Sequence, residues 1–317
     1  MKRRFLPPVP VALALSLAVS SGLAGCGGAV DAGAPGAAAA GRDGRLAVVA
    51  SFYPLQFAAE RVGGDQVSVT SLTKPGAEPH DLELSPRDVA SLEDADLVVY
   101  LAGFQPSVDE GVAASAADRG VDVTPSARLD LEGPEHEEHE DDAHGDPHFW
   151  LDPTRLADVA DALARRFAQA APQHAATFTA NAATLRKDLT TLDGEFRAGL
   201  ATCASRSLVT SHEAFGYLAR RYDLQQVGIS GLSPEAEPDA ATIARVAEFV
   251  RSRGVRTVYV ETLVSPDIAR TVAAETGART AVLDPIEGPP AADSGARDYL
   301  GVMRADLAVL RAGQGCS

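Results

Sequence analysis

Short apolar runs alternate with amphipathic stretches along most of this 317-residue chain. Leu46–Ala50 and Gln66–Leu72 have the length and β-branched content of strands, as does Asp96–Leu101. Ser85-Pro86 opens a predicted helix to about Glu93, a second helix covers Val108–Arg119, and Val121–Val123 is strand-like. In the middle the period lengthens. Leu156, Val159, Leu163 and Phe167 recur at helical spacing behind Asp152-Pro153, and Pro172 interrupts them. Phe178, Leu185, Leu189, Leu192, Phe196 and Leu200 then form one stripe on a helix from about His174 to Leu200. At 1.5 Å per residue that helix is about 40 Å long, enough to cross between two domains. The alternation then resumes. Strands are expected at Ser207–Thr210, Gln226–Ile229, Val255–Glu261 and Thr280–Leu283, with helices at Glu213–Tyr222, Ala240–Arg253, Pro266–Thr276 and Asp298–Arg311. Strand–helix alternation of this kind predicts an α/β fold. Two lobes, 45–152 and 202–317, would each carry a mainly parallel sheet flanked by helices, joined through a helical segment at 153–201.

The first 44 residues do not fit that scheme. Lys2, Arg3 and Arg4 precede an apolar run from Val9 to Val19, too short for a membrane span of about 20 residues. The chain 1–25 is expected to be a signal peptide. Leu23-Ala24-Gly25-Cys26 resembles the bacterial lipobox, which implies a lipid on Cys26, the alternative being a plain secreted signal with an incidental cysteine. Residues 26–44, nearly all Gly, Ala, Asp and Pro, would form a flexible tether. The expected location is the extracytoplasmic face of the cell membrane, held by a lipid anchor. Export leaves Cys203 and Cys316 as an even pair in an oxidising compartment, where a disulfide is expected against the alternative of two free thiols.

Charge narrows the partners. Lys and Arg number 28 against 44 Asp and Glu, a formal charge of −16. A nucleic-acid ligand is excluded, since it needs a basic surface to displace counterions. The first 25 residues carry +3 and no acid, so the remainder carries −19, of which −7 falls in the single stretch Pro134–His148.

Four side chains from distant segments are candidate metal ligands. His212 follows the strand Ser207–Thr210, and Asp284 follows Thr280–Leu283. Ligands of open α/β sheets bind beyond the carboxyl ends of strands. His80 follows the strand ending near Leu72, across the turn Lys74-Pro75-Gly76, and His148 stands just before Pro153. The spacings are 68, 64 and 72 residues, so only folding could assemble them. Three imidazoles and a carboxylate suit tetrahedral zinc in a cleft between lobes, and His80, His148, His212 and Asp284 are the expected set. The alternative is that each is an ordinary surface or core residue.

Several segments carry a resemblance to a known family: Ser51–Pro54, Gly76–Pro86, Asp94–Tyr100, Asp146–Pro153, Thr210–Tyr217, Tyr259–Glu261, Glu275–Gly277 and Leu283–Pro285. In this order they are similar to the metal-binding lipoproteins of bacterial ABC importers for zinc and manganese, in particular the high-affinity zinc-uptake branch. The resemblance spans about 46–312. It implies metal ligation at His80, His148 and His212, with the acid at Asp284 completing the set. It implies two α/β lobes joined by one rigid helix, and partners in an ABC permease and ATPase. Histidine at 212, where the manganese branch commonly has a carboxylate, points to zinc as the bound ion. A monomer is expected. Asp223 departs from the family's usual glycine, and Glu213 from its usual aspartate.

Pro134–His148 holds His136, His139, His144 and His148 among seven acids and no base. Such a run is ordinarily a solvated, disordered segment, but tracts of this composition also collect metal ions. His136, His139 and His144 are expected to be auxiliary zinc ligands.

Three other functions compete with zinc capture: a manganese or iron carrier of the same family, an adhesin-like surface protein, and a zinc hydrolase. A hydrolase needs an open coordination position and a general base, for which Glu78 is the one nearby candidate; no H-E-x-x-H or G-x-S-x-G is present. The expectation is a binding protein and not an enzyme.

Overall fold

The computed structural model describes residues 44–131, 145–292 and 294–317. Cys26, His136, His139, His144 and the stretch 1–43 lie outside them.

The first lobe runs β1 (Leu46–Ala50), α1 (Tyr53–Gly63), β2 (Val67–Ser71), α2 (Pro86–Asp94), β3 (Leu97–Tyr100), α3 (Pro106–Ser115), β4 (Gly120–Asp122) and α4 (Thr124–Ala127). Helices α5 (Pro153–Ala170) and α6 (Ala175–Gly199) follow. The second lobe runs β5 (Ser207–Thr210), α7 (Gly216–Arg221), β6 (Gln225–Gly228), α8 (Ala240–Arg253), β7 (Thr257–Val260), α9 (Asp267–Thr276), β8 (Arg279–Val282) and α10 (Tyr299–Gln314). Both sheets are wholly parallel, with strand orders β2-β1-β3-β4 and β6-β5-β7-β8. The fold is α/β, as the alternation predicts. Central strands covered on both faces need unbroken apolar sequence, and Leu97–Val99 and Thr257–Val260 are buried throughout.

Helix α1 is absent from the sequence-based expectation. Its residues Tyr53, Leu55, Phe57, Ala58, Ala59 and Val62 are buried on nearly every side, so no polar stripe marks a helical period. Pro54 falls in the first turn, where its missing N–H costs nothing. Other helices begin where side chains supply caps. Ser85 and Asp88 form a capping box on α2, with Ser85 N donating to Asp88 Oδ2 at 2.9 Å. Asp152 Oδ1 accepts from Thr154 N at 2.9 Å ahead of α5. Asp223 takes a left-handed φ of 58°, a conformation aspartate tolerates better than most residues.

Helix α6 ties the lobes together. Its first half holds α1: Asn181 Nδ2 donates to Val62 O at 3.0 Å, and Asp188 pairs with Arg61 at 2.6 Å. Its second half holds the other lobe, through Asp193 with Arg221 at 2.7 Å and Glu195 with Arg304 at 2.8 Å. At 25 residues it spans about 37 Å. One apolar core continues beneath both lobes, from Leu55 and Trp150 to Leu189, Phe196, Tyr217 and Tyr299. Cys203 and Cys316 are joined by a disulfide that closes the chain end against the start of the second lobe. No described helix is long and apolar enough to cross a membrane.

Candidate metal centre

His212 lies two residues beyond β5, and its ring is buried at 0% exposure. Its backbone N–H donates to Glu261 Oε1 at 2.9 Å, and its Nδ1 meets Glu261 Oε2. Glu261 itself stands one residue past β7. His148 sits just before a single 3₁₀ turn at Phe149–Leu151 and is also fully buried. Its Nδ1 and its backbone N each lie 2.8 Å from Asp146 Oδ1. Asp146 in turn donates its N–H to Leu131 O at 2.9 Å, which anchors the Asp146–His148 segment to the chain at Leu131. A Nδ1–H given to a carboxylate leaves the Nε2 lone pair free and aims it. His80 reaches the same point from the long β2–α2 connection. Its side chain is 10% exposed, and among the described residues its Nδ1 has no carboxylate partner.

The fourth member is Glu287. Its Oε1 lies 3.3 Å from His80 Nε2, 3.3 Å from His148 Nε2 and 3.4 Å from His212 Nε2. His148 Nε2 and His212 Nε2 are 3.4 Å apart, and all four ligand atoms lie within 4.8 Å of one another. A regular tetrahedron with metal–ligand bonds of ~2.0–2.1 Å has edges of about 3.3–3.4 Å. Four of the six spacings, at 3.3–3.4 Å, match that figure, and the two between His80 and the other rings are within 4.8 Å.

Asp284 does not join this group, and Glu287 takes the place expected for it. The Asp284 carboxylate turns back on its own loop, where Oδ1 accepts from Ile286 N at 2.8 Å, and its N–H donates to Asp306 Oδ1 at 3.1 Å. Ile286 then adopts a left-handed φ of 59°, rare for a β-branched residue, and the chain reverses so that Glu287 enters the site. The strand-end rule finds this loop but not which acid on it faces the cleft. Glu261 and Asp146 also escaped the sequence reading as site residues. The Asp-x-His spacing at 146–148 was the available signal for one of them; nothing local marks Glu261.

The surroundings are dry on one side. Phe52, Phe104 and Trp150 pack at centroid distances of 4.9–5.9 Å, and His148 and His80 lie 5.2 and 4.7 Å from Trp150 and Phe104. Trp150 Nε1 donates to Pro285 O at 2.7 Å, linking the lobes beside the site. Burial disfavours the charged form of every ring here. It prevails at His80, whose pKa is lowered. At His148 the bond to Asp146, with that to Glu287, outweighs burial and raises the pKa. At His212 the charge of Glu261 does so, pushing it up to about 10. Glu287 is held well below the usual carboxylate range despite burial, because His148, His212 and His80 all face it. Glu78 is raised to about 7 by burial, with Glu287 nearby. On the open side, a cavity of about 570 Å³ reaches His80 between Phe104, Asp109 and Pro147.

Residues 48–313 match the family described as zinc-uptake complex component A, periplasmic (ZnuA). The chain belongs to this family. It is 35% identical over 288 residues to the zinc-binding protein AdcA of Streptococcus pyogenes, covering 85% of this chain and 56% of that protein. The chain therefore spans about half the length of such relatives. To the high-affinity zinc uptake system protein ZnuA of Bacillus subtilis it is 32% identical, over 84% of this chain and 87% of that one. Among solved structures, the Zn(II)-bound ZnuA-like domain of Streptococcus pneumoniae AdcA is similar at a TM-score of 0.71 and 33% identity, covering 86% of this chain and 99% of that one. The ZnuA family is one of solute binding and uptake, not of enzymes.

Proposed function

We propose that this chain captures Zn²⁺ outside the cytoplasm and delivers it to the permease of an ABC importer driven by an ATPase subunit. The His80–His148–His212–Glu287 tetrahedron carries the reading. Four protein ligands at zinc-like spacing leave no position open for a reacting water, as suits a carrier. Three imidazoles and one carboxylate favour zinc over manganese, which accepts more oxygen ligands in a larger shell. The zinc-binding names of the relatives support the same choice.

Calorimetric titration of the metal-stripped protein tests it. One zinc ion binds tightly and manganese weakly; Glu287→Gln loses most of the affinity, and Asp284→Asn keeps it within a few-fold. Equal loss in both variants, or a manganese preference, refutes the assignment.

The finer reading has the chain mature at Cys26, lipidated there, with 26–44 as tether and a monomeric body from residue 45. Leu23-Ala-Gly-Cys26 supports it. His136, His139 and His144 act as weak auxiliary zinc ligands, a reading supported by the His- and acid-rich composition of Pro134–His148. Deleting 135–145 should lower the number of weakly bound zinc ions and leave the tight site intact; an unchanged stoichiometry rules out auxiliary binding.

A further inference from the structure

The second lobe has another concave site, at the edge of its sheet opposite His212 and Glu287. A cavity of about 570 Å³ opens where β5, β6, β7 and β8 begin and α8, α9 and α10 end. Arg206, Arg253, Arg256 and Arg279 line it, and no carboxylate does. On a chain with 44 acids and 28 bases this is unexpected. Many other arginines pair with acids, as Arg61 does with Asp188, Arg186 with Asp158 and Asp161, and Arg304 with Glu195. These four have no ion pair among the described residues.

Their existing contacts leave donors unused. Arg206 donates to the carbonyls of Leu200, Ala201 and Tyr222. Arg279 donates to Thr257 Oγ1 and Ala312 O. Arg253 lies over the Phe249 ring, and Arg256 makes no side-chain hydrogen bond among the described residues. Each guanidinium carries five N–H donors. Capping of the three helix ends does not account for the cluster. Those ends supply about −0.5 each, or about −1.5, against four full positive charges. A net excess of about +2.5 remains in the cavity. Its walls are also held in place. Next to the Cys203–Cys316 disulfide, Ala204 N donates to Gly315 O at 3.2 Å and Ser205 N to Gln314 O at 3.0 Å. Rigid walls reduce the ordering cost of binding.

We propose that this four-arginine pocket binds an anion of the phosphate class, either free phosphate or the phosphate headgroup of an anionic lipid. Planar guanidinium forks match the oxygen spacing of phosphate. The inference does not depend on the metal centre, which lies at the other end of the sheet.

Two probes on the full chain test it. Inorganic phosphate is titrated by calorimetry. Retention is compared on vesicles of phosphatidylglycerol mixed equally with phosphatidylcholine and on vesicles of phosphatidylcholine alone, because a lipid anchor would hold to both. The Arg253→Gln/Arg256→Gln variant changes two exposed side chains outside the metal centre. It should bind either probe about tenfold or more weakly while keeping its zinc titration, which shows that it is folded. Phosphate binding without a vesicle difference identifies the free anion as ligand. A vesicle difference without phosphate binding identifies the headgroup. Binding of neither probe by the parent, or equal binding by the variant, overturns the proposal.

Discussion

The two lobes share one strand order and differ in how they deliver ligands. In the second lobe the sheet does the work: His212 is two residues past β5 and Glu287 five past β8. In the first, His80 comes nine residues after β2, and His148 comes 26 residues after β4. A short reach from a strand fixes a side chain cheaply, whereas a long connection needs other anchors. His148 has them in Asp146 and the Trp150 cluster; His80 has its backbone N–H on Glu78 and its ring against Phe104, but no carboxylate on its Nδ1. One topology therefore yields three locked donors and one looser donor at the rim.

Removing a locked imidazole should hurt most. His212→Ala is expected to abolish tight zinc binding, while His80→Ala keeps a weakened site because water can replace a donor at the exposed edge. Equal losses, measured by competition with a chelator of known affinity, would break the contrast between locked and loose ligands. Next in size, Asp146→Asn and Glu261→Gln should each cost about 10–100-fold in zinc affinity by releasing a ring orientation. An effect of Asp146→Asn confined to thermal stability would reduce Asp146 to a structural residue.

The pH response sharpens the same comparison. In the metal-free protein His148 and His212 have raised pKa values and His80 a lowered one. Zinc requires neutral rings, so binding must displace a proton from His212 at neutral pH, and the raised pKa of His148 acts in the same direction. Affinity should keep rising from about pH 6 to about 8, beyond the point where free imidazole, with a pKa of ~6.5, would level off. A plateau above about pH 7 would contradict the role of Asp146 and Glu261 as charge partners.

The smallest expected effect concerns the bridge and not the ligands. Asp193 on α6 accepts from Arg221 Nε at 2.7 Å, Arg197 Nε at 3.1 Å and Tyr222 Oη at 3.1 Å. Burial opposes its charge, yet Arg221 and Arg197 hold its pKa below the usual value. Its stabilisation is therefore complete above the unfolded-state pKa of ~3.9 and lost as pH falls through the lower folded value. Asp193→Asn should cost about 1–3 kcal/mol in denaturant unfolding at neutral pH and leave zinc affinity unchanged. A shift in zinc affinity instead would mean that α6 transmits strain to the site.

Much of this fold could be read in the sequence because the central strands are continuous apolar runs and the two bridging helices keep a clear period. Helix α1 could not, since burial on all sides erases the period that reveals a helix. Three of the four clustered side chains were found from strand ends and spacing together with the family resemblance. Strand ends point to Asp284 where the cluster holds Glu287, because the choice between them depends on the left-handed backbone of Ile286, which residue identity does not announce. Glu261 was missed for a related reason. Its role exists only across strands, in the pairing that sets β7 beside β5.

The hydrogen bond from Trp150 Nε1 to Pro285 O has a mechanical consequence. It joins the residue two after His148 to the residue two before Glu287, and Tyr299 adds a second tie by donating to Trp150 O. The inner side of the cleft is therefore held by two ties that meet at Trp150. An ion reaching the site would come from the open side, where His80, its side chain 10% exposed, borders one cavity and His212 another.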